Sequence, residues 1–221
     1  MMIAGLDEAG RGSIIGPLVL CGILIDEECA GSLIGIGIRD SKLLSRKRRI
    51  ELRNRIIEVV ADYFIVEVPP SEIDSAVRIH RLNDLEARYF SSIIDRLKPS
   101  KAYIDSPLRN YKRFSDMVSS YCKWRCEIVA LCHADRDIPV VSAASILAKV
   151  RRDEIIDSYR SMYGEVGSGY PSDARTIEFL RRSMSEAEAA GIVRRSWRTY
   201  TSIIHNRGRQ TVIDAYRDGK A

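Results

Sequence analysis

The chain has 221 residues, of which 45% are hydrophobic and 29% are charged, and its formal net charge at pH 7 is +5. No continuous apolar run reaches the ~18 residues that a membrane span needs, so we expect a soluble protein without a membrane segment. At this length one core, with at most a small appendage, is expected rather than two full domains.

The first half of the chain predicts three strands and two helices. The expected strands are residues 2–6, 17–25 and 63–68, and the expected helices are residues 45–61 and 83–97. Ser45 is suited to cap the first helix, and Pro69 and Pro70 end the third strand. The run Lys98-Pro99 ends the second helix.

The second half predicts two more strands, followed by helices alone. The expected strands are residues 102–104 and 127–131, and the expected helices are residues 111–122, 141–159, 174–190 and 196–204. The helix that begins near Val141 is rich in small residues, which permits close packing on a sheet. Alternating strands and helices predict an α/β catalytic core over residues 1–173, and the remaining residues 174–221 predict a helical C-terminal subdomain with a basic tail.

The cysteines and histidines argue against a zinc site or a disulfide framework. Five cysteines form an odd set without a CxxC pair, and three histidines are scattered along the chain. Residues 1–7 form an apolar strand without a preceding basic segment, so no signal peptide is expected. The expected location is the cytoplasm.

Acidic residues follow three of the expected strands. Asp7 and Glu8 come after the first strand, Asp105 comes after residues 102–104, and Asp135 comes after residues 127–131. If these strands are neighbours, the carboxylates converge at one edge of the sheet, where a cation has to balance their charge. Oxygen ligands suit Mg²⁺ or Mn²⁺, and two such ions can cleave a phosphodiester. The alternative for each acid alone is an ordinary turn residue.

A glycine-containing segment follows the first pair of acids. Gly10-Arg11-Gly12 is followed by Gly16, one residue too late for a dinucleotide-binding GxGxxG loop, and the preceding acids would repel a pyrophosphate. The two glycines and the arginine indicate instead a backbone that approaches the sugar or phosphate of a ligand closely.

Three other residues are candidates for substrate contacts. Lys42 and Lys149 could hold phosphates, and Tyr170 on a glycine- and proline-containing loop could stack on a sugar or a base. The alternatives are a solvated loop, a solvated helix face and a turn tyrosine.

Several longer motifs carry a family resemblance. They are IAGLDEAGRG at 3–12, DSK at 40–42, YIDS at 103–106, AD at 134–135, PVVSAASILAKV at 139–150, RD at 152–153, GSGYPSD at 167–173 and RSW at 195–197. In this order they resemble ribonuclease H type 2 (ribonuclease HII), and most closely its archaeal branch. The resemblance covers nearly the whole chain.

The resemblance implies an RNase H-like fold with a central mixed β-sheet flanked by helices. It implies hydrolysis of the RNA strand of RNA/DNA hybrids, and cleavage at ribonucleotides embedded in duplex DNA. Two divalent ions, Mg²⁺ or Mn²⁺, would be held by Asp7, Glu8, Asp105 and Asp135, and the products would carry 5′-phosphate and 3′-hydroxyl ends. The Gly10-Arg11-Gly12 loop would read the 2′-hydroxyl, and Tyr170 would stack on the sugar at the RNA-to-DNA junction.

The chain departs from the family pattern at two positions near the fourth carboxylate. His133 stands where the family usually has lysine, and Ile138 stands where it usually has tyrosine. Asp153 matches the family motif, but it lies beside Arg151 and Arg152, so we expect a structural ion pair there.

The C-terminal end is strongly basic. Residues 190–221 contain seven basic and two acidic side chains, which accounts for the whole net charge. Three arginines of this end, Arg194, Arg195 and Arg198, are expected to hold a nucleic-acid duplex against the acidic site.

Residues 210–217, QTVIDAYR, resemble a peptide that binds a sliding clamp, with Arg217 in place of the second aromatic residue. The alternative is an amphipathic helix that packs on the domain. Clamp binding through residues 210–217 is therefore one prediction, together with a monomeric state.

A non-catalytic nucleic-acid binder of the same fold is the competing function, and a different phosphotransferase is a more distant one. The set of four acids favours the endonuclease, because a binder gains nothing from carboxylates that face a polyanion.

Overall fold

The computed structural model describes residues 1–38 and 44–205, and its centre is one five-stranded sheet. The strands are β1 (Met2–Ala9), β2 (Leu18–Asp26), β3 (Asp62–Val68), β4 (Lys101–Asp105) and β5 (Glu127–Leu131). They lie in the order β3-β2-β1-β4-β5, so the first strand of the chain is the middle strand of the sheet. The almost complete burial of β1 follows from this central position.

The sheet is mixed. Strands β1, β2 and β3 are antiparallel neighbours, whereas β4 and β5 run parallel to β1. Antiparallel strands need only a turn between them, but parallel strands need a crossover, and helices occupy the connections that lead to β4 and β5. The expected α/β architecture, a mixed sheet flanked by helices, is confirmed.

Eight helices with complete bounds lie in the described residues. They are α1 (Gly31–Gly35), α2 (Arg46–Val59), α3 (Pro70–Arg78), α4 (Leu82–Leu97), α5 (Tyr111–Tyr121), α6 (Ala134–Asp137), α7 (Pro139–Tyr163) and α8 (Ala174–Ala189). A 3₁₀ turn covers Glu27–Cys29, and residues 198–205 are also helical. None of the helices in residues 1–38 and 44–205 is long and apolar enough to cross a membrane.

One helix start follows the capping chemistry expected from the sequence, and three helices, α1, α3 and α6, were not predicted. The Ser45 hydroxyl accepts a hydrogen bond from the Arg48 amide and caps α2, as predicted. Helix α3 was not predicted, because Pro69 and Pro70 indicated only the end of a strand. Pro70 is the first residue of this helix, a position where the missing N–H of proline costs nothing.

Two strand and helix boundaries near the acids differ from the sequence prediction. Strand β1 continues to Ala9, so Asp7 and Glu8 lie inside it rather than after it. Helix α7 begins at Pro139, two residues earlier than expected, and it continues to Tyr163. Pairing of β1 with β2 along the whole length explains the longer strand.

Each face of the sheet carries its own hydrophobic core, because successive strand residues point to opposite faces. One core joins the sheet to α7, and its members include Ile3, Val19, Cys21, Val140, Ala144 and Leu147. The other joins the sheet to α4 and α5, and its members include Leu6, Leu20, Phe90, Ile93 and Phe114. The helix α7 therefore lies on one face of the sheet and α4 on the other.

Helix α7 crosses β1 at very short range. A Cβ atom on Gly5 would lie 2.2 Å from the backbone carbonyl carbon and oxygen of Val140. The small residues Ala143 and Ala144 of this helix are fully buried. The predicted close approach of a small-residue helix to the sheet is confirmed.

A third hydrophobic core links the loop between β1 and β2 to the C-terminal helices. Ile14 and Ile15 pack with Phe179 and Leu180 of α8, and a β-bridge joins Ile15 to Val193. The loop after the first two acids is thus held by the C-terminal part of the described chain.

Candidate active site

The sheet brings the predicted carboxylates together. Leu6 pairs with Ile104 in the parallel register of β1 and β4, so Asp7 and Asp105 are the next residues on adjacent strands. The backbone amide of Ala134 donates a 2.8 Å hydrogen bond to Asp105 Oδ1, which places Asp135 of α6 beside the same edge. Asp7, Glu8, Asp105 and Asp135 are called the acidic cluster below.

Two members of the acidic cluster are buried and two are partly buried, and two of the four carboxyl groups have raised pKa values. Asp7 is 4% exposed and Asp135 is 2% exposed. Burial and the charge of Asp105 raise the pKa of the Asp7 carboxyl to about 7, against the opposing effects of the Ser145 hydroxyl and the Lys149 ammonium. Burial and the charge of Asp7 also raise the pKa of Glu8 well above its usual range. Such a site gains stability from a cation.

The donor set fits a hard divalent cation, although the side chains are not arranged around one. Within the described residues, no group of three or more His, Cys, Asp or Glu side chains is arranged to hold a metal ion. Asp7 Oδ1 accepts from the Glu8 amide, and Asp105 Oδ1 accepts from Ala134. Glu8 Oε2 is buried without a hydrogen-bond partner. These carboxylates provide only oxygen donors, as Mg²⁺ and Mn²⁺ prefer.

A cleft of about 350 Å³ opens beside Glu8. Five of the predicted substrate-binding residues line it, namely Gly10, Arg11, Gly12, Lys149 and Tyr170. The structure therefore places these residues in one cleft with Glu8 of the acidic cluster. Lys42, the sixth predicted contact, lies outside the described residues.

The segment Gly10-Arg11-Gly12, called the glycine loop below, leads into strand β2 rather than into a helix. A dinucleotide-binding loop has to open a helix whose N-terminus receives the pyrophosphate, so the structure excludes that alternative. Ser13 donates to the carbonyl oxygen of Gly10, and Trp197 donates to that of Gly12. These bonds hold the peptide planes of the loop in one orientation.

The side chain of Arg11 is bound to helix α4. Its Nε lies 2.7 Å from Glu86 Oε1, and its Nη2 lies 2.7 Å from Asn83 Oδ1. Glu86 is fully buried, and burial raises the pKa of its carboxyl to about 7 despite the Arg11 guanidinium. Glu86 was not predicted as a site residue, because an acidic residue on an otherwise apolar helix face gives no sign of its partner.

The ion pair expected at Asp153 has a different partner. Arg49 of α2 lies 2.7 Å from Asp153, and both residues line the cleft. Arg151 pairs instead with Glu67, and Arg152 is buried. Neighbours along a helix point in different directions, which is why proximity in sequence named the wrong partner.

The expectation that Arg194 contacts a duplex is wrong. Arg194 is 0% exposed, and its guanidinium donates to the carbonyl oxygens of Gly16 and Arg11 at 3.0 and 2.9 Å. Burial lowers the pKa of this guanidinium to about 9. Arg195 and Arg198 are exposed, so they remain available to a polyanion.

Comparisons with known proteins agree with this geometry. The family model for ribonuclease HII matches residues 4–200. The chain is 41% identical to ribonuclease HII of Pyrococcus horikoshii over 220 residues, which cover 98% of this chain and 99% of that protein.

Two solved structures are similar over nearly their whole length. The crystal structure of the ribonuclease H2 from Pyrococcus horikoshii OT3 matches with a TM-score of 0.86 and 42% identity, covering 93% of this chain and 98% of that chain. The ribonuclease HII in a PCNA complex from Archaeoglobus fulgidus matches with a TM-score of 0.82 and 36% identity, covering 91% and 96% of the two chains.

Proposed function

The chain belongs to the ribonuclease HII family, and from this premise we propose that it also cuts at single ribonucleotides embedded in duplex DNA. Membership makes it a ribonuclease H, an endonuclease that hydrolyses the RNA strand of RNA/DNA hybrids. Its mixed sheet with flanking helices is the RNase H-like fold. The observation that carries the further proposal is the cleft that the glycine loop lines beside Glu8 of the acidic cluster.

Recognition of one ribonucleotide requires contact with a single 2′-hydroxyl, the group that distinguishes RNA from DNA at a given site. The glycine loop lines the cleft directly beside Glu8. The side chain of Arg11, the middle residue of this loop, is bound to α4. A ligand would therefore meet mainly the backbone of this loop. Recognition of a single 2′-hydroxyl by this loop requires only one ribonucleotide in the duplex.

The same cleft contains an aromatic ring that suits a sugar. Tyr170 lies half-buried in its wall, together with Lys149 and the glycine loop. We propose that Tyr170 packs on the sugar that follows the ribonucleotide, and that Lys149 approaches a phosphate. Lys42 is proposed to contact phosphate on the basis of its motif alone.

The acidic cluster is proposed to hold two Mg²⁺ or Mn²⁺ ions. When bound, such ions activate a water for attack on the phosphorus and stabilise the departing 3′-oxygen, which leaves a 5′-phosphate on the product. Asp7, Glu8, Asp105 and Asp135 would fix the ions at the edge of β1 and β4. The raised pKa values of Asp7 and Glu8 support this role, because burial and, after it, the neighbouring carboxylates disfavour their charged forms, and a bound cation would offset both effects.

A non-catalytic binder of the same fold is the second candidate. Its binding surface would have to approach the phosphates of DNA or RNA although it contains four buried or part-buried carboxylates. Those charges repel a polyanion unless cations neutralise them. The burial of Asp7 and Asp135 therefore favours the enzyme.

Cleavage of three matched duplexes tests the proposal. One carries a single ribonucleotide in DNA, one is a full RNA/DNA hybrid, and one is DNA alone, each with Mg²⁺ and with Mn²⁺. We expect a single cut beside the ribonucleotide, with a 5′-phosphate on the fragment, and no cut in DNA. Cleavage of the hybrid without cleavage of the single-ribonucleotide duplex would refute the proposal.

Replacement of both Arg195 and Arg198 with Gln is expected to weaken hybrid binding and its dependence on salt. Both side chains are exposed, whereas Arg194 is buried and is left unchanged. Each lost phosphate contact lowers the slope of log affinity against log salt by roughly 0.9, so the two should remove about 1.8. Titrations by fluorescence anisotropy at several salt concentrations measure this slope. Arg96→Gln, which removes an exposed arginine bound to Asp62, is the control, and an unchanged slope in the double variant contradicts the assignment.

Clamp binding through residues 210–217 is also proposed, although these residues lie outside the described part of the chain. The related protein from Archaeoglobus fulgidus was solved in a complex with PCNA. A pull-down with the sliding clamp of the same cell should retain the full chain and lose a chain that ends at residue 209. Tyr216→Ala should also lose binding, because the aromatic residue is the expected anchor. Equal capture of the full and shortened chains would refute this proposal.

Three properties remain predictions. They are the division of the chain at residue 173, a monomeric state and a cytoplasmic location. Light scattering during gel filtration, with and without a hybrid, measures the oligomeric state directly.

A further inference from the structure

Arg152 of α7 is a buried cation that the proposed chemistry does not use. Its side chain is 4% exposed, and burial lowers the pKa of its guanidinium. One nitrogen, Nη2, donates a 2.8 Å hydrogen bond to the carbonyl oxygen of Ser168, and Nε is buried without a hydrogen-bond partner. Its acidic neighbour Asp153 pairs with Arg49, and the charges of Tyr170 and Asp153 only partly offset the effect of burial on the pKa of Arg152. Desolvation of a charge is costly, so this placement needs a reason.

The guanidinium fills the space between two loops. A Cβ atom on Gly10 would lie 2.7 Å from Arg152 Nε, and a Cβ atom on Gly169 would lie 2.9 Å from Arg152 Nη2. Both glycines have positive φ angles, 84° and 81°, so their conformations also disfavour a side chain. Arg152 therefore contacts the glycine loop on one side and residues 167–170, called the tyrosine loop, on the other.

The two loops are also joined directly. The carbonyl oxygen of Gly169 accepts hydrogen bonds from the amides of Ile14 and Ile15 at 2.8 and 3.1 Å. The tyrosine loop is thereby tied to the segment that follows the glycine loop. With Arg152 packed between them, a movement of one loop has to be transmitted to the other.

The guanidinium also covers one face of the Tyr170 ring. The guanidinium carbon lies 4.4 Å from the centroid of the ring, a distance typical of a cation–π contact. A planar ring that is supported on one face has a defined plane. Tyr170 lines the cleft together with the glycine loop, so the orientation of the ring sets the shape of this wall.

We infer that Arg152 is a positioning residue that sets substrate choice by fixing the Tyr170 ring relative to the glycine loop. The inference rests on the proposed function, in which the loop reads one 2′-hydroxyl and the ring packs on the next sugar. A deoxyribose presents an apolar C2′ carbon to the Tyr170 ring. A ribose presents a 2′-hydroxyl at the same place, and packing on the ring would cost this hydroxyl its hydrogen bonds to water. A fixed ring therefore favours a ribonucleotide followed by DNA over a uniform hybrid.

Direct binding of phosphate by Arg152 is a poor alternative. A side chain that is 4% exposed cannot reach a phosphate without leaving its place between Gly10 and Gly169. Arg152 lines the cleft together with Lys149 and Arg49, but its guanidinium is already held by the Ser168 carbonyl oxygen and the Tyr170 ring.

Kinetics on two substrates test the positioning role. The kcat and KM of Arg152→Gln, Arg152→Lys and the parent are measured on a duplex with one ribonucleotide and on a full hybrid. We expect Arg152→Gln to lose about tenfold more kcat/KM on the single-ribonucleotide duplex than on the hybrid. Arg152→Lys keeps the charge but not the planar stacking group, so it should recover part of this loss.

Arg151→Gln is the matched control. It removes the same charge from the neighbouring residue, whose side chain lies outside the cleft and contacts Glu67 and Glu154. Its ratio of kcat/KM on the two substrates should equal that of the parent. Hybrid cleavage and the melting temperature show whether each variant is folded. If Arg152→Gln does not fold, Arg152→Lys still reports the ratio.

A double-mutant cycle with Tyr170→Ala separates positioning from general stability. In the Tyr170→Ala background, Arg152→Gln should no longer change the ratio between the two substrates. An equal loss of kcat/KM on both substrates in Arg152→Gln would overturn the inference. So would a double variant whose loss of kcat/KM is the product of the losses in the two single variants. If the parent does not cut the single-ribonucleotide duplex, the proposed function fails. If the parent cuts it but Tyr170→Ala keeps the parental ratio, the inference fails and cleavage at single ribonucleotides stands.

Discussion

Asp105→Asn and Asp135→Asn are each expected to lower the rate of hybrid cleavage by about 10³-fold or more. Removal of one group that stabilises a transition state typically costs about 10²- to 10³-fold, so this loss lies at or above the upper end of that range. Each substitution keeps the shape of the side chain and removes its negative charge. An amide oxygen is a weaker ligand for a divalent ion than a carboxylate oxygen. The loss should therefore appear in the chemical step, measured in single-turnover reactions with Mg²⁺ and with Mn²⁺.

Affinity for the hybrid should persist in both variants. Removing a carboxylate from the acidic cluster reduces its repulsion of phosphates, so binding measured without divalent ions should be unchanged or tighter. Asp116→Asn is the matched control, because it removes the same charge from an exposed position on α5 and should leave the rate unchanged. A nearly normal rate for either active-site variant would contradict the metal-binding assignment, and loss of hybrid binding would indicate a folding defect.

Gly5→Ala is expected to destabilise the fold by more than about 4 kcal/mol, or to prevent folding altogether, which places it among the most damaging single substitutions. The new Cβ atom would lie 2.2 Å from the carbonyl carbon of Val140 and 2.6 Å from the amide nitrogen of Val141. Both are backbone atoms in the first turn of α7, so no side-chain rotation can relieve the overlap. The helix would have to move away from the sheet and open the core that they share.

Thermal unfolding of purified protein measures this effect, and the yield of soluble protein records failure to fold. Gly35→Ala is the matched control, since a Cβ atom there meets nothing within 4 Å and the residue ends the short helix α1. That variant should change stability by no more than about 1 kcal/mol. A Gly5→Ala protein with a parental melting temperature would show that α7 does not pack against β1 at this distance.

Much of the fold could be predicted because local patterns carry it. Short apolar runs predicted β1 to β5, and helices were predicted at the places of α2, α4, α5, α7 and α8. The positions of Asp105 and Asp135 near strand ends predicted their convergence, since the ends of parallel neighbouring strands share one edge of a sheet. Helix α3 was missed because proline both ends a strand and begins a helix, and only the packing of the following residues distinguishes the two.

The candidate site could be predicted as a set of residues, but not as an arrangement of charges. Arg11 seemed available to a ligand, yet its partner Glu86 lies 75 residues away in the chain. Arg194 was counted with the exposed basic residues of the C-terminal end, although it is fully buried behind the glycine loop. A sequence shows the type of a charged residue, whereas its exposure depends on elements that meet only in the folded chain.

The sequence by itself determined the family to which the chain belongs, and it predicted all five strands, most of the helices and the four candidate carboxylates. Backbone periodicity and motif spacing are local properties, so they can be read before folding. Only the tertiary structure decided which arginines face solvent and which support the loops from behind. Arg152 and Arg194 are buried because residues distant in sequence, from Gly10 to Tyr170, close around them, and no local pattern records such long-range packing.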